Sequence, residues 1–242
     1  MPKPTQLIVA SYNIHKGVGT DRRRDLLRTA KVIAEVGADV MAIQEADKRF
    51  GDRAGLLDLT HLRETAGLIP IPINGLRAAA HGWHGNLILV REAEVRDVHH
   101  ITLPGLEPRG ALMTEMEVNG HPLRVVAAHF GLLHLSRRQQ VRALLDKMHD
   151  IDTIPTLLMG DLNEWRIGSR SSLVNFDKHF TAAAFGHSFP AHRPMLPLDR
   201  IMIGPKGKLS DCEVHDTPLA RVASDHLPVK ARLMLGGAGG TP

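Results

Sequence analysis

The stretch "LLMGDLNEW" (residues 157–165) carries an apolar run straight into Gly160, Asp161 and Asn163. Such a short run reads as a buried strand. A carboxylate at the end of it is costly unless partners or a metal ion meet the charge. Alone, Asp-x-Asn is a turn or a cap, because both side chains bond nearby backbone. The pattern recurs, however. "SYNIH" (11–15) ends an apolar run with Asn13 and His15, "IQE" (43–45) ends another with Gln44 and Glu45, and "AAHF" (127–130) ends a third with His129. If these strand ends converge, they supply one another's partners.

These belong to a set of eight apolar runs, at 7–14, 38–45, 86–90, 111–118, 123–130, 156–163, 198–204 and 226–235, bounded by Gly, Pro, Asn or Asp as strands are. "ALMTEMEV" (111–118) and "PVKARLML" (228–235) alternate in part, as strands with one wet face do. Helical spacing predicts a helix over 22–36 stopped by Gly37, and a second over 136–148, where Ser136 and Gln139 match a capping box and Val141, Leu144, Leu145 and Met148 form one stripe. Residues 51–82 read as a surface excursion with a short helix near 57–66, and 169–197 as irregular. Each main helix sits between strands, so helices should cover sheets in a mixed α/β architecture. Nothing divides the chain, and a single domain over 1–235 with a Gly-rich tail at 236–242 is expected.

Composition narrows the function. The 242 residues are 43% hydrophobic, enough for a sizeable core. Six Phe, two Trp and one Tyr supply few base-stacking platforms, which weakens a purely nucleic-acid-binding role. The net charge of +4 favours an anionic partner but is equally a route to solubility, and the run Arg22–Arg23–Arg24 fits either a phosphate contact or a solvated helix start. Cys212 is the only cysteine, which excludes a disulfide framework and a multi-thiolate zinc site and suits a reducing compartment. The apolar stretch at 7–10 is too short for a signal peptide and no run approaches membrane-spanning length, so a cytoplasmic protein without stable membrane insertion is expected.

"LDR" (198–200) and "SDH" (224–226) add Asp199, Asp225 and His226 to the strand-end set. Carboxylates, carboxamides and imidazoles without thiolate make a hard donor inventory suited to Mg²⁺ or Mn²⁺. Phosphate ester hydrolysis needs those parts: a metal to neutralise phosphoryl oxygens, a base to activate water, and a cationic donor for the transition state.

With these residues in view, the motifs "YNIH", "IQE", "GNLIL", "AAHFGL", "GDLNEW", "PLDRIMI" and "SDHLPV" together resemble the endonuclease/exonuclease/phosphatase superfamily over nearly the whole chain. The resemblance implies a four-layer α/β/β/α sandwich of the DNase I-like kind, with two mixed sheets face to face, helices outside, and a divalent-metal phosphoesterase site at one edge. It implies Glu45 as principal metal ligand with Asn13 beside it and Asp225 as a further metal-site acid. Asp161 and Asn163 resemble the pair that activates water and contacts the scissile phosphate. His226 is similar to the catalytic histidine, Asp199 to the carboxylate that orients it, and His129 to a second histidine that binds phosphate or acts as an acid.

The chain departs from the abasic-site endonuclease branch, which carries Asp at the place of His15 and Tyr at the place of His129. "EPRGAL" (107–112) and "SFPAHRPMLPLDRI" (188–201) resemble a small bacterial branch, the YbhP-like proteins. Arg109 suits bidentate phosphate binding, although a surface Arg in a Pro/Gly turn is the alternative, and Asn86 is a further candidate phosphate contact. The expected activity is hydrolysis of a phosphodiester, either nucleic acid or a phospholipid or other small diester. The rivals are a DNA-specific nuclease and a silent binding protein on the same fold. A zinc hydrolase is disfavoured because "HExxH" is missing, and His99 and His100 read as surface residues.

Overall fold

In the computed structural model, residues 4–49, 51–76, 79–148, 150–183 and 186–236 are described. Of the expected tail, 237–242 lie outside them. The strands are β1 (Thr5–Asn13), β2 (Val40–Gln44), β3 (Ile69–Pro70), β4 (Leu87–Val90), β5 (Glu94–Leu103), β6 (Arg109–Val118), β7 (His121–His129), β8 (Thr156–Asp161), β9 (Thr181–Ala182), β10 (Asp199–Ile203), β11 (Lys208–Val214) and β12 (Val229–Leu235). The helices are α1 (Leu26–Val36), α2 (Leu59–Ala66), α3 (His134–Leu145) and the short α4 (Ala220–Ala223). One sheet runs β11-β12-β1-β2-β4-β3 and the other β5-β6-β7-β8-β10-β9. Both are mixed: β1 with β2 and β7 with β8 are parallel, and the other pairs are antiparallel.

Side-chain alternation separates three apolar layers. Leu7, Val9, Val40, Ala42 and Ile88 of the first sheet pack against Leu123, Val125, Ala127, Leu157, Met159 and Ile201 of the second. The opposite face of the first sheet, including Tyr12, Met41 and Leu89, is covered by Ile33 of α1, Leu62 of α2 and Ala220 of α4. The opposite face of the second, including Val126 and Leu158, is covered by Val141 and Leu144 of α3. This is the expected four-layer α/β/β/α sandwich.

Local details differ from the sequence expectations. α1 begins at Leu26 rather than 22, because the Asp25 side chain accepts from the Arg28 N–H and caps it, while Gly37 closes it in the left-handed conformation at φ 66°. The arginine run therefore lies in the preceding loop. The Ser136–Gln139 capping box does not form: α3 starts at His134, its N-cap Leu133 makes no side-chain cap bond, and Ser136 is buried within the first turn. Within the expected excursion, Ile69–Pro70 pair with β4 at the sheet edge, where a proline's missing N–H is tolerated. β5 and β11 were not anticipated as strands. Both lie at sheet edges and carry mostly exposed or half-buried residues, so neither has the apolar signature of a covered strand.

Candidate active site

The alternation that builds the inner core also builds the site. Val9, Ser11 and Asn13 share one face of β1; Ala127 and His129 share one face of β7; Met159 and Asp161 share one face of β8; Ile201 and Asp199 share one face of β10. Polar residues thus replace apolar ones at one end of the layer between the sheets. Register brings them together, since β8 pairs His129 with Asp161 on one side and Asp199 with Asp161 on the other.

His226 is the centre of the cluster. Its Nδ1 lies 2.9 Å from Asp199 Oδ2, and its Nε2 lies 3.6 Å from Asp161 Oδ2. The Ser188 hydroxyl donates to the same Asp199 oxygen at 2.5 Å, and the Phe189 ring packs 4.8 Å from the imidazole. Ser224 joins the site to β1 by donating to the Asn13 carbonyl at 2.8 Å. Burial pushes the His226 pKa down, but Asp199, Asp161 and Asp225 outweigh it and raise it to about 10. At neutral pH this ring is a cation.

His129 is the opposite case. Burial, reinforced by the charges of Arg109 and His226, holds its pKa well below the ordinary histidine value. Arg109 Nη1 lies 2.8 Å from Nε2 and 3.0 Å from Nδ1 of the ring, and a guanidinium can only donate, so His129 must accept and is neutral. Asp161 accepts from Asn13 Nδ2 at 3.0 Å and from the Asn163 backbone N–H at 3.0 Å. Burial lifts its carboxyl pKa to about 6. Asn163 holds φ 51° and donates its side-chain amide to the Phe130 carbonyl at 3.0 Å.

Glu45 follows β2 in the left-handed region at φ 58°, which breaks the strand alternation and turns its carboxylate into a neighbouring open cavity. The cavity is lined by Lys16, Glu45, Asp47, Arg49, Arg53, His84, Arg109 and His129. Burial opposes the Glu45 charge, but the Lys16 ammonium that hydrogen-bonds it, helped by His15 and Arg109, keeps its pKa below the ordinary glutamate value. Arg109 is tethered by Glu107 at 2.7 Å and its side chain is only 12% exposed, so it is a built part of the cavity rather than a surface Arg. Asp225 is half-buried, 3.6 Å from His15 Nδ1. Asn86 is fully buried and ties the Trp83 and Gly110 carbonyls together, placing it beneath the cavity wall rather than in its lining. His99 and His100 are exposed on β5.

Lys16, Ser188 and Glu107 were not singled out from the sequence. Lys16 stands in a turn at φ 56° directly after the first motif, and the other two open the quoted stretches at 188–201 and 107–112. Their proximity to motif residues was the only available signal.

A carboxylate already ionised, oriented into a cavity and holding one cation is suited to an ion. Asn13 and Asp161 belong to the His226 cluster and Asp225 pairs with His15, and with Glu45 they form an all-oxygen donor set, which fits a hard divalent metal. Ligand atoms of Asp161, Asp199 and His226 also lie within 4.8 Å of one another. A cationic His226 has no lone pair to give, so that trio reads better as an imidazolium between two carboxylates.

Residues 10–226 match the model of the endonuclease/exonuclease/phosphatase family, and the chain belongs to that family, whose members hydrolyse phosphate esters. Among solved structures, it resembles an endonuclease/exonuclease/phosphatase from Beutenbergia cavernae at 23% identity and TM-score 0.76, over 98% of this chain and 73% of that one. It also resembles a mannosyl-6-phosphatase of Bacteroides thetaiotaomicron (17% identity, TM-score 0.68, 94% and 99% covered). A third is D. rerio TDP2 complexed with single strand DNA product (15% identity, TM-score 0.67, 95% and 99% covered). At these identities the likeness is one of fold. No curated protein matches.

Proposed function

We propose that this chain is a Mg²⁺- or Mn²⁺-dependent phosphodiesterase that hydrolyses its substrate by in-line attack of water, with residues 1–235 acting as one domain. The observation that carries the reading is His226 held 2.9 Å from Asp199 and 3.6 Å from Asp161 at the edge of the sandwich, where these carboxylates raise its pKa to about 10. A fixed imidazolium donates Nε2–H to a phosphoryl oxygen as negative charge develops there. Asp161, with a carboxyl pKa raised to about 6 and two amide donors fixing its orientation, is suited to take the proton of the attacking water. A neutral His129 and the tethered Arg109 bind phosphate oxygens rather than supply a proton, and Asn163 is a further phosphate contact. Asn86 supports that wall from below through Gly110.

Glu45, Asn13 and Asp225 would hold the metal, which supplies Lewis acidity that neutralises phosphoryl oxygens. The substrate classes supported are nucleic acid and a phospholipid or other small diester. Relatives named as a phosphatase and as a DNA-product complex share the fold, so fold alone does not separate the classes. A nuclease that contacts several phosphates loses affinity steeply with salt, and a small-diester enzyme does not. The single cysteine supports a reducing, cytoplasmic setting.

The test is hydrolysis of bis-p-nitrophenyl phosphate and p-nitrophenyl phosphate with Mg²⁺, Mn²⁺ or EDTA, for the wild type and His226→Ala. Metal-dependent release favouring the diester and lost in the variant is expected. Equal activity in a folded His226→Ala protein would remove the site assignment.

A further inference from the structure

Six of the large hydrophobic side chains exposed among the described residues belong to three loops on one flank of the site. Leu106 lies in the loop before β6, Leu132, Leu133 and Leu135 lie at the start of α3, and Trp165 and Ile167 follow β8; they are 51% to 84% exposed. The remaining four, Leu27, Ile69, Met195 and Val222, belong to separate elements.

The three loops are locked to one another. Glu107 Oε1 accepts from the Leu132 N–H at 2.7 Å while its other oxygen holds Arg109. The buried Arg137 donates to the Gly131 and Leu132 carbonyls and to Glu164 Oε2. Glu164, fully buried, also accepts from the Ser172 N–H at 2.8 Å, the Ser172 hydroxyl at 2.6 Å and the Arg166 N–H at 2.8 Å. His134 Nε2 meets the Arg170 carbonyl at 3.3 Å. A buried ion pair with this many supports fixes six apolar side chains outward, and their solvent exposure is costly unless something covers them.

The chemistry of the patch selects its partner. Residues 131–139 and 165–170 contain no Asp or Glu, and Glu107 beside Leu106 is paired with Arg109, while Arg138 and Arg170 are exposed and the Arg166 guanidinium sits 5.0 Å over the Trp165 ring. Leucine and isoleucine around one tryptophan, fringed by arginines, is the composition that enters a lipid interface, with aliphatic chains among acyl groups, indole at headgroup level and guanidinium on anionic headgroups. Bases need aromatic platforms, and aliphatic side chains do not provide them. We propose that the loops bearing Leu106, Leu132, Leu133, Leu135, Trp165 and Ile167 form a docking face for an anionic lipid bilayer, which sets the mouth of the site against the membrane surface. The association is peripheral: no helix among the described residues is long and apolar enough to cross a membrane.

Sedimentation with vesicles of phosphatidylcholine alone or mixed with phosphatidylglycerol tests this, using wild type, Leu132→Ser with Ile167→Ser, and Trp165→Phe. The substituted positions are exposed, and an unchanged thermal midpoint shows that the fold is retained. Wild type should partition onto the anionic vesicles, the double variant should do so at least about tenfold more weakly, and brominated acyl chains should quench the fluorescence of wild type but not of Trp165→Phe. Wild type that ignores both vesicle types overturns the proposal, as does partitioning unmoved by the double substitution. A light-scattering dimer dispersed by those substitutions without vesicle binding would instead assign the face to a second copy. Oligonucleotide binding lost with Trp165, again without vesicle binding, would assign it to single-stranded nucleic acid. Partitioning is read without turnover, so failure of the phosphodiesterase reading leaves this test intact.

Discussion

Asp199→Asn separates the charge that holds His226 from the shape that holds it. The two side chains are nearly isosteric, and the amide oxygen can still accept from Nδ1 across the 2.9 Å contact, so the ring keeps its place while its counter-ion is lost. At about 4 Å and an effective dielectric of about 20, a pair of unit charges is worth about 4 kcal/mol. At about 1.36 kcal/mol per pH unit this corresponds to about three units, and the retained hydrogen bond trims it to about two or three. The His226 pKa should therefore fall from about 10 toward about 7. Imidazole NMR on the EDTA-treated protein reads this directly. At pH 8.5 the variant ring is neutral and turnover should drop about a hundredfold, the usual scale for losing a positioned acid. Lowering the pH from 8.5 to 7 should recover part of that loss in the variant and none in wild type. Linkage supplies an independent sign. The folded pKa lies above the unfolded 6.5, so this group's stabilisation is complete below pH 6.5 and is lost as pH rises through about 10 in wild type, and the variant should lack most of that slope. A wild-type His226 that titrates near 6.5, or one that titrates identically in both proteins, would refute the reasoning.

Gly160→Ala should cost about 2 kcal/mol or more in thermal or urea unfolding, because a Cβ there would lie 1.8 Å from the Ala128 carbonyl oxygen and must force β7 and β8 apart beside Asp161; an unfolding curve matching wild type would contradict the register. Arg137→Met should destabilise by about 3–5 kcal/mol by stranding the buried Glu164 charge, and adding Glu164→Met should restore a large part of it, a double-mutant cycle read by urea unfolding.

Much of the fold is legible because burial on both faces leaves continuous apolar runs, as in β2, β4 and β8. The strands that escape are those whose physics differs. "EVRDVHHITL" and "KLSDCEV" are edge strands, the first met by α3 only at its Ile101–Leu103 end, so hydrophobic pattern carries little of their information and pairing with one covered neighbour supplies the rest. The capping box at Ser136 fails for a related reason. The motif is satisfied in sequence, but Arg137 takes the Gly131 and Leu132 carbonyls and starts the helix earlier, and tertiary bonding outweighs a cap worth about 1 kcal/mol.

The site divides along the same line. Asn13, His129, Asp161 and Asp199 could be found because each continues the inward parity of an apolar strand, and parity is written in the sequence. Glu45 could be found as a strand-end acid, yet its direction depends on a left-handed turn at φ 58° that breaks parity, and nothing in "IQEAD" announces that turn. Lys16, Glu107 and Ser188 follow no periodicity. They enter through an ion pair of Lys16 with Glu45, a hydrogen bond from the Leu132 N–H to Glu107, and the bond of the Ser188 hydroxyl to Asp199. Periodic residues therefore locate the site, and two of them, Asp161 and Asp199, also charge His226, while Arg109 and burial keep the charge off His129. His226 faces two carboxylates and is cationic; His129 lies 3.5 Å from one of them, Asp161, but burial and the Arg109 guanidinium keep it neutral. A sequence reading that assigns both imidazoles to one chemistry can name them correctly and still leave their roles open, because the strand-end carboxylates account for His226 while the Arg109 guanidinium that sets His129 apart lies outside the strand-end pattern.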